Sequence, residues 1–209
     1  YYYVSISEDA FKALYSSASQ GKSEIDSTFD HIVEVGRLKY INCIKIITDY
    51  LRDEPFGKED EIIKFIAGTT YGIPRDIIRG CDEIITIFQE QNSRPEERPV
   101  ATQIINKVID NKVDRAREFG YIDDRVGTVR EYFKNVELLN KYLEDYSEDE
   151  TYKEIIGLYL LYLVERLISN KQDEQIDKVI DIGFRLKDRK NDEIIKLLEA
   201  FEGQSDQIA

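Results

Sequence analysis

From Leu38 onward, apolar residues recur at intervals of three and four, and that period restricts most of the chain to packed helices. Ile41, Ile44, Ile47 and Leu51 repeat at helical spacing, with Cys43 and Ile46 widening the stripe. Phe56 and Gly57 punctuate the pattern, and Ile62, Ile63, Phe65 and Ile66 predict a second helix ending near Thr70. Pro74, at a first helical position, opens a third helix whose face carries Ile77, Cys81, Ile84, Ile85 and Phe88. Residues 38–90 are therefore expected to form a small helical bundle.

The stretch 91–99 (QNSRPEERP) holds two of the four prolines in a polar setting and reads as a linker. Beyond it, Ile104, Ile105, Val108, Ile109 and Val113 trace one helix, and Val126, Val129, Phe133, Val136 and Leu139 trace another. Ser147, with three acids behind it, is placed to cap a helix through the apolar stretch 155–168. That helix is apolar nearly all round, so it should be the central one of a second bundle. Two shorter helices follow, carrying Ile176, Val179, Ile180 and Phe184, then Ile194, Ile195, Leu198 and Phe201. Residues 100–201 thus form a second helical domain, and 202–209 a polar tail. No fixed repeat period runs through these helices, so a regular solenoid is not expected.

The first 37 residues have a different pattern. Residues 1–7 (YYYVSIS) are aromatic and β-branched, and Ser7, Glu8 and Asp9 supply a cap and acidic first turn for a helix to about Ser16. After a polar loop, residues 29–35 read as a second short strand ended by Gly36. Two strands cannot make a stable sheet alone. The expected fold is mainly α: a remnant of an α/β core, or a short strand pair, at residues 1–37, followed by two helical bundles.

Charge and composition narrow the function classes. Forty-two Asp and Glu stand against 29 Lys and Arg, giving a net charge of −13, which disfavours a non-specific grip on nucleic acid. Cys43 and Cys81 sit within apolar helical patterns without metal or redox spacing and are expected to be buried, reduced thiols. The single histidine, His31, leaves hydrolase triads and histidine metal clusters poorly supplied. The longest apolar run, 155–164, is well short of the roughly 18–20 residues of a membrane span. With no signal-peptide pattern at residue 1 either, no membrane contact and a cytoplasmic location are expected. The chain holds no methionine, even at position 1. A full-length natural chain is expected to begin with one, so a fragment or processed product, or replaced or omitted methionines, is the expectation.

Several motifs have ordinary structural readings. Gly21-Lys22-Ser23 ends like a phosphate loop, but the pattern needs a glycine five positions before Gly21, where Ser16 stands. Glu59-Asp60-Glu61, Asp123-Asp124 and Glu148-Asp149-Glu150 lie at helix starts or turns, where negative charge favours the helix dipole. Tyr159 and Tyr162, flanked by leucines, read as core aromatics with hydroxyls at the edge rather than as a base-stacking platform.

The turn Gly72-Ile73-Pro74-Arg75, with Arg79 one helical turn on, carries more. Gly72 ends one helix, Pro74 starts the next, and Arg75 is held in a first turn from which its planar donors can reach phosphate oxygens. Here the chain resembles AAA-type or related signalling ATPases, whose small helical lid carries a Gly-x-Pro-Arg turn called sensor 2. By the same resemblance, residues 1–7, with Ser5 or Ser7 at the end, match the strand bearing the polar sensor 1 residue. Residues 29–35 match the last core strand, and residues 38–90 match the lid. Ile73 stands where a polar capping residue is common, and neither a phosphate loop nor a Walker B strand precedes the lid.

The resemblance implies the end of a core, a lid and a helical effector domain. Arg75, Arg79 and Ser7 would sense nucleotide, and lid motion would be relayed across 91–99. On that reading the chain alone carries no catalytic residue, metal or cofactor. ATP and Mg would come with a phosphate-loop domain upstream, and an ATPase activity would belong to the whole. The partners expected are a protein or a second copy of the chain, with ATP at the lid. Two alternatives stand beside it: a self-sufficient all-α scaffold or adaptor holding a partner helix in a groove between its bundles, and, for the arginines, simple pairing of Arg75 and Arg79 with Asp76, Asp82 or Glu83 on a helix surface.

Overall fold

The computed structural model describes residues 37–91, 101–122, 129–146, 148–186 and 189–205. The strand pair and helix expected in residues 1–36, with Ser7, Gly21-Lys22-Ser23 and His31, lie outside the described residues, as do most of 91–99 and the end of the tail. The fold is mainly α. Among the described residues there is no strand, and residues 37–209 group as one compact unit.

The helices follow the apolar periods closely. Helix α1 spans Tyr40–Tyr50, α2 Asp60–Thr69 and α3 Pro74–Gln91. Next come α4 (Ala101–Glu118), a single turn α5 (Val129–Tyr132), α6 (Val136–Leu143) and the long α7 (Asp149–Ser169). A 3₁₀ turn at Asp173–Gln175 leads into α8 (Ile176–Phe184), and α9 covers Asn191–Ser205. Asp60 and Glu61 open α2 and Asp149 and Glu150 open α7, the positions at which carboxylates oppose the positive end of the helix dipole.

Three local expectations are adjusted. On α1 the buried face is Cys43, Ile47 and Leu51, at successive i+4 steps, so Ile41 falls on the other side and is 69% exposed. On α3, Ile87 is buried in place of Ile85, which is only partly covered. The helix expected through Val129, Phe133, Val136 and Leu139 is two, α5 and α6. Asn135 interrupts it in extended conformation (φ −156°, ψ 169°) and its side chain accepts from Leu138 N at 2.9 Å, capping α6.

Helix α7 is the centre of the fold, as its apolar sequence predicts. Ile155, Ile156, Tyr159, Leu160 and Val164 are completely buried, and α7 packs against α2, α4, α6, α8 and α9. Helix α2 is a second hub, touching α1, α3, α4, α7 and α8. The helices before and after 91–99 therefore share one apolar core. Six of its aromatic rings, from Tyr132, Phe133, Tyr142, Tyr146, Tyr159 and Tyr162, pack edge-on or tilted beside α7, with neighbouring centroids 4.8–6.4 Å apart. Both cysteines are buried in this core as thiols.

Candidate functional site

The Gly72–Arg75 turn is rigidly mounted, and its own backbone chemistry explains why. Helix α2 runs out at two threonines whose hydroxyls donate back into the last turn, Thr69 to Phe65 O and Thr70 to Ile66 O, both at 2.8 Å. Ile66 O also accepts from Thr70 N at 3.2 Å, so these hydroxyls satisfy themselves on the helix's own last carbonyls. Tyr71 and Gly72 then take left-handed conformations (φ 52° and 74°), and Ile73 N donates to Thr70 O at 3.0 Å.

Gly72 O accepts from Leu38 N at 2.7 Å, and a Cβ at Gly72 would lie 2.4 Å from Leu38 O. Glycine is thus required both by conformation and by space. The left-handed backbone of Tyr71 is held by packing of its ring against α8: a Cβ at Gly183 would come within 2.2 Å of Tyr71 Cε1. Burial raises the Tyr71 hydroxyl pKa, and Glu154 adds to the rise. The Tyr71–Gly183 brace is not legible in the sequence as a pair. Its one readable signal is Gly183 itself, a glycine inside an apolar helix, which implies close approach.

Pro74 is the first residue of α3, as expected, and Ile73 O accepts from Asp76 N and Ile77 N at 3.0 Å each. Ile73 has no side-chain acceptor to cap this end, so the only negative charge in the first turn is that of Asp76. Asp76 is also the carboxylate that both candidate arginines approach. Arg75 Nε is 3.6 Å from Asp76 Oδ1 and Arg79 Nη1 is 3.9 Å from it. Charge-assisted hydrogen bonds are about 2.7–2.9 Å long, so these are loose ion pairs. The side chains are 69% and 68% exposed. The other carboxylates considered for pairing are engaged elsewhere: Asp82 accepts from Tyr50 OH at 2.8 Å and Glu83 pairs with Lys112 at 3.2 Å. The structure therefore brings Arg75 and Arg79 to one side of α3 around a shared carboxylate. Ser7 lies outside the described residues.

A second charged cluster is not visible in the sequence. Glu202, which composition assigns to the polar tail, lies in α9 with its side chain 17% exposed. Its carboxylate accepts from Arg166 Nη2 at 2.5 Å, from Tyr159 OH, and from Val136 N at 2.9 Å. Arg166 also donates to Lys134 O. Burial and the Glu202 bond push the Tyr159 hydroxyl pKa up. Burial would lower that of Arg166, but the bonds to Glu202 and Tyr159 outweigh it and raise it. Each of these bonds joins two different elements, which makes the cluster a tie between them.

Lys64 of α2 forms a comparable tie, contacting Asp60 and Asp173, and Asp173 followed by Asp60 raises its pKa. Beside it, burial raises the pKa of Tyr40, whose hydroxyl is enclosed without a hydrogen-bond partner. A groove of about 400 Å³ runs between α8 and α9, lined by Asp177, Lys178 and Ile182 on one side and Leu197, Ala200 and Phe201 on the other. At its end Arg37 pairs with Asp181 at 2.6 Å and lies over the Phe184 ring.

Among the described residues no group of three His, Cys, Asp or Glu side chains is arranged to hold a metal ion, and no helix is long and apolar enough to cross a membrane. Compared with family models, curated proteins and solved structures, the chain matches none.

Proposed function

We propose that this chain is the lid and helical effector portion of a AAA-type or related signalling ATPase, with Arg75 and Arg79 as its nucleotide-sensing groups. The observation that carries the proposal is the contrast at the turn between a fixed backbone and exposed side chains. Leu38, Gly183 and Pro74 fix the start of α3, while the guanidiniums project into solvent with only a loose shared carboxylate. A phosphate held by a neighbouring domain can compete with Asp76 for them, and a fixed Cα position lowers the entropy lost on making those bonds. ATP and Mg are supplied with that neighbouring domain.

The shared core alters how a signal would travel. Because α2 and α7 pack directly together, the helices on both sides of 91–99 move as one body. Closure at Arg75 then carries α7 to α9 with the lid through the core they share. In the complete protein, Arg75→Ala should lower ATP hydrolysis at least about tenfold while thermal stability is unchanged. An unchanged rate removes the assignment, as would an encoded start immediately upstream of Tyr1 with no phosphate-loop domain.

The groove between α8 and α9 favours a second reading, an all-α adaptor that binds a protein segment and has no nucleotide dependence. The two separate cleanly: the adaptor folds and binds its partner equally with and without ATP, and Arg75→Ala leaves that binding intact.

A further inference from the structure

We infer that Glu202 is a latch that makes the C-terminal helix α9 and the α5–α6 turn order and open as one unit, separately from α1 to α3. The geometry is that of a three-way junction. One carboxylate on α9 receives the guanidinium of Arg166 and the hydroxyl of Tyr159, both on α7, and the N–H of Val136, the first residue of α6. That N–H is one of the donors a helix start leaves without an intrahelical partner. The same Arg166 donates to Lys134 O, two residues earlier. The Arg–Glu pair therefore grips the turn before α6 from both sides, by a carbonyl and by an N–H, and closes only when α9 is docked.

A second tie one turn along α9 repeats the connection, with Asn140 Nδ2 donating to Glu199 Oε1 at 2.9 Å. The apolar part of the docking is modest in extent: Ile194, Ile195, Leu198 and Phe201 are buried, and α9 packs mainly on α6, α7 and α8. Charged groups in a partly buried junction lose far more when one partner leaves than exposed pairs do, because the remaining partner stays desolvated. If α9 leaves, Val136 N–H and Arg166 lose their acceptor together, and the cap of α6 weakens with it. Local openings in proteins occur in such contiguous cooperative units. Helices α1 to α3 have no bond to this junction among the described residues.

The test is amide hydrogen exchange, followed by mass spectrometry, on the full chain carrying Glu202→Gln, with Tyr159→Phe as the milder change. The amide introduced by Glu202→Gln keeps the shape and an acceptor but removes the charge. Exchange should rise at least about tenfold in residues 131–143 and 191–205 together, with residues 40–70 unchanged. Tyr159→Phe should produce the same pattern at smaller amplitude. Faster exchange in 191–205 alone would overturn the coupling. So would a uniform rise over all helices, loss of folding in both variants, or no change in either.

Discussion

The chain places arginine beside carboxylate in two settings, and the difference between them separates a group available to a ligand from one committed to the fold. At the start of α3, Arg75 and Arg79 share Asp76 at 3.6 and 3.9 Å with most of their surface in water. Between α7 and α9, Arg166 meets Glu202 at 2.5 Å and is 34% exposed, and it also reaches Tyr159 and a backbone carbonyl. Water screens the first pair and its partners exchange easily. The second spends its guanidinium on protein acceptors from two other elements, so a phosphate that took it would unmake a junction. The rigidity of the two sites is reversed as well. Around Arg166 the side chains are fixed, whereas around Arg75 the backbone is fixed and the side chains are not.

The largest effect should come from removing that backbone fixation. Gly72→Ala puts a Cβ 2.4 Å from Leu38 O in a left-handed conformation. It is expected to cost about 2–4 kcal/mol in chemical denaturation, the sum of overpacking and backbone strain. Gly183→Ala should act at the same place from the other side, by displacing the Tyr71 ring. Wild-type stability in either variant would mean that the turn is not braced as described. Next, Glu202→Ala should cost about 2–3 kcal/mol, below the full penalty of a buried pair because Arg166 is partly exposed. A loss under about 0.5 kcal/mol would place this pair with ordinary surface pairs and erase the contrast.

The sequence reveals one of these settings and conceals the other, for physical reasons. Helix identity follows from local spacing, and α1 to α4 and α7 are legible because Ile, Val and Leu recur on one face over many turns. The Gly72–Pro74 turn is legible because glycine and proline act on the backbone of their own residues. The junction at Glu202 depends on partners 36, 43 and 66 positions away, and no local rule links an acid near a chain end to them. The break at Asn135 is hidden because the apolar period continues through Phe133, Val136 and Leu139, while a single side-chain bond to Leu138 N starts a new helix there. The single core is hidden because 91–99 has the composition of a linker. Whether α2 packs on α7 is decided by their faces, which composition does not report.

High pH should act on the buried side of the comparison and spare the exposed one. Burial, with Asp82 adding to it, raises the Cys81 thiol from 9.0 to about 12. Its folded pKa lies above its unfolded value, so the stabilisation is complete below about pH 9 and is lost as pH rises from there through the folded value. Tyr159, Tyr40 and Tyr71 are shifted the same way and add their losses from about pH 10 upward. Thermal melts should therefore fall steadily above about pH 9, and Cys81→Val should shallow the early part of the fall. A melting temperature that holds level to about pH 10.5 would contradict the burial of these groups.

The smallest stability effect is the most informative about function. Arg75→Ala and Arg79→Ala remove side chains that touch little besides Asp76, so each should change stability by no more than about 0.5 kcal/mol. For a unit of this size that is a shift of roughly 2 °C or less. Asp76→Ala should cost more than either, since it takes the only negative charge from the first turn of α3 and leaves two neighbouring cations without a shared counter-charge. This order, with the acid mattering more than the bases, is what a site holding its arginines for another molecule predicts. If Arg75→Ala instead proves as costly as Glu202→Ala, then Arg75 has a structural partner in the folded chain. The two arginine settings would then be alike, and the phosphate-sensing role would lose its physical basis.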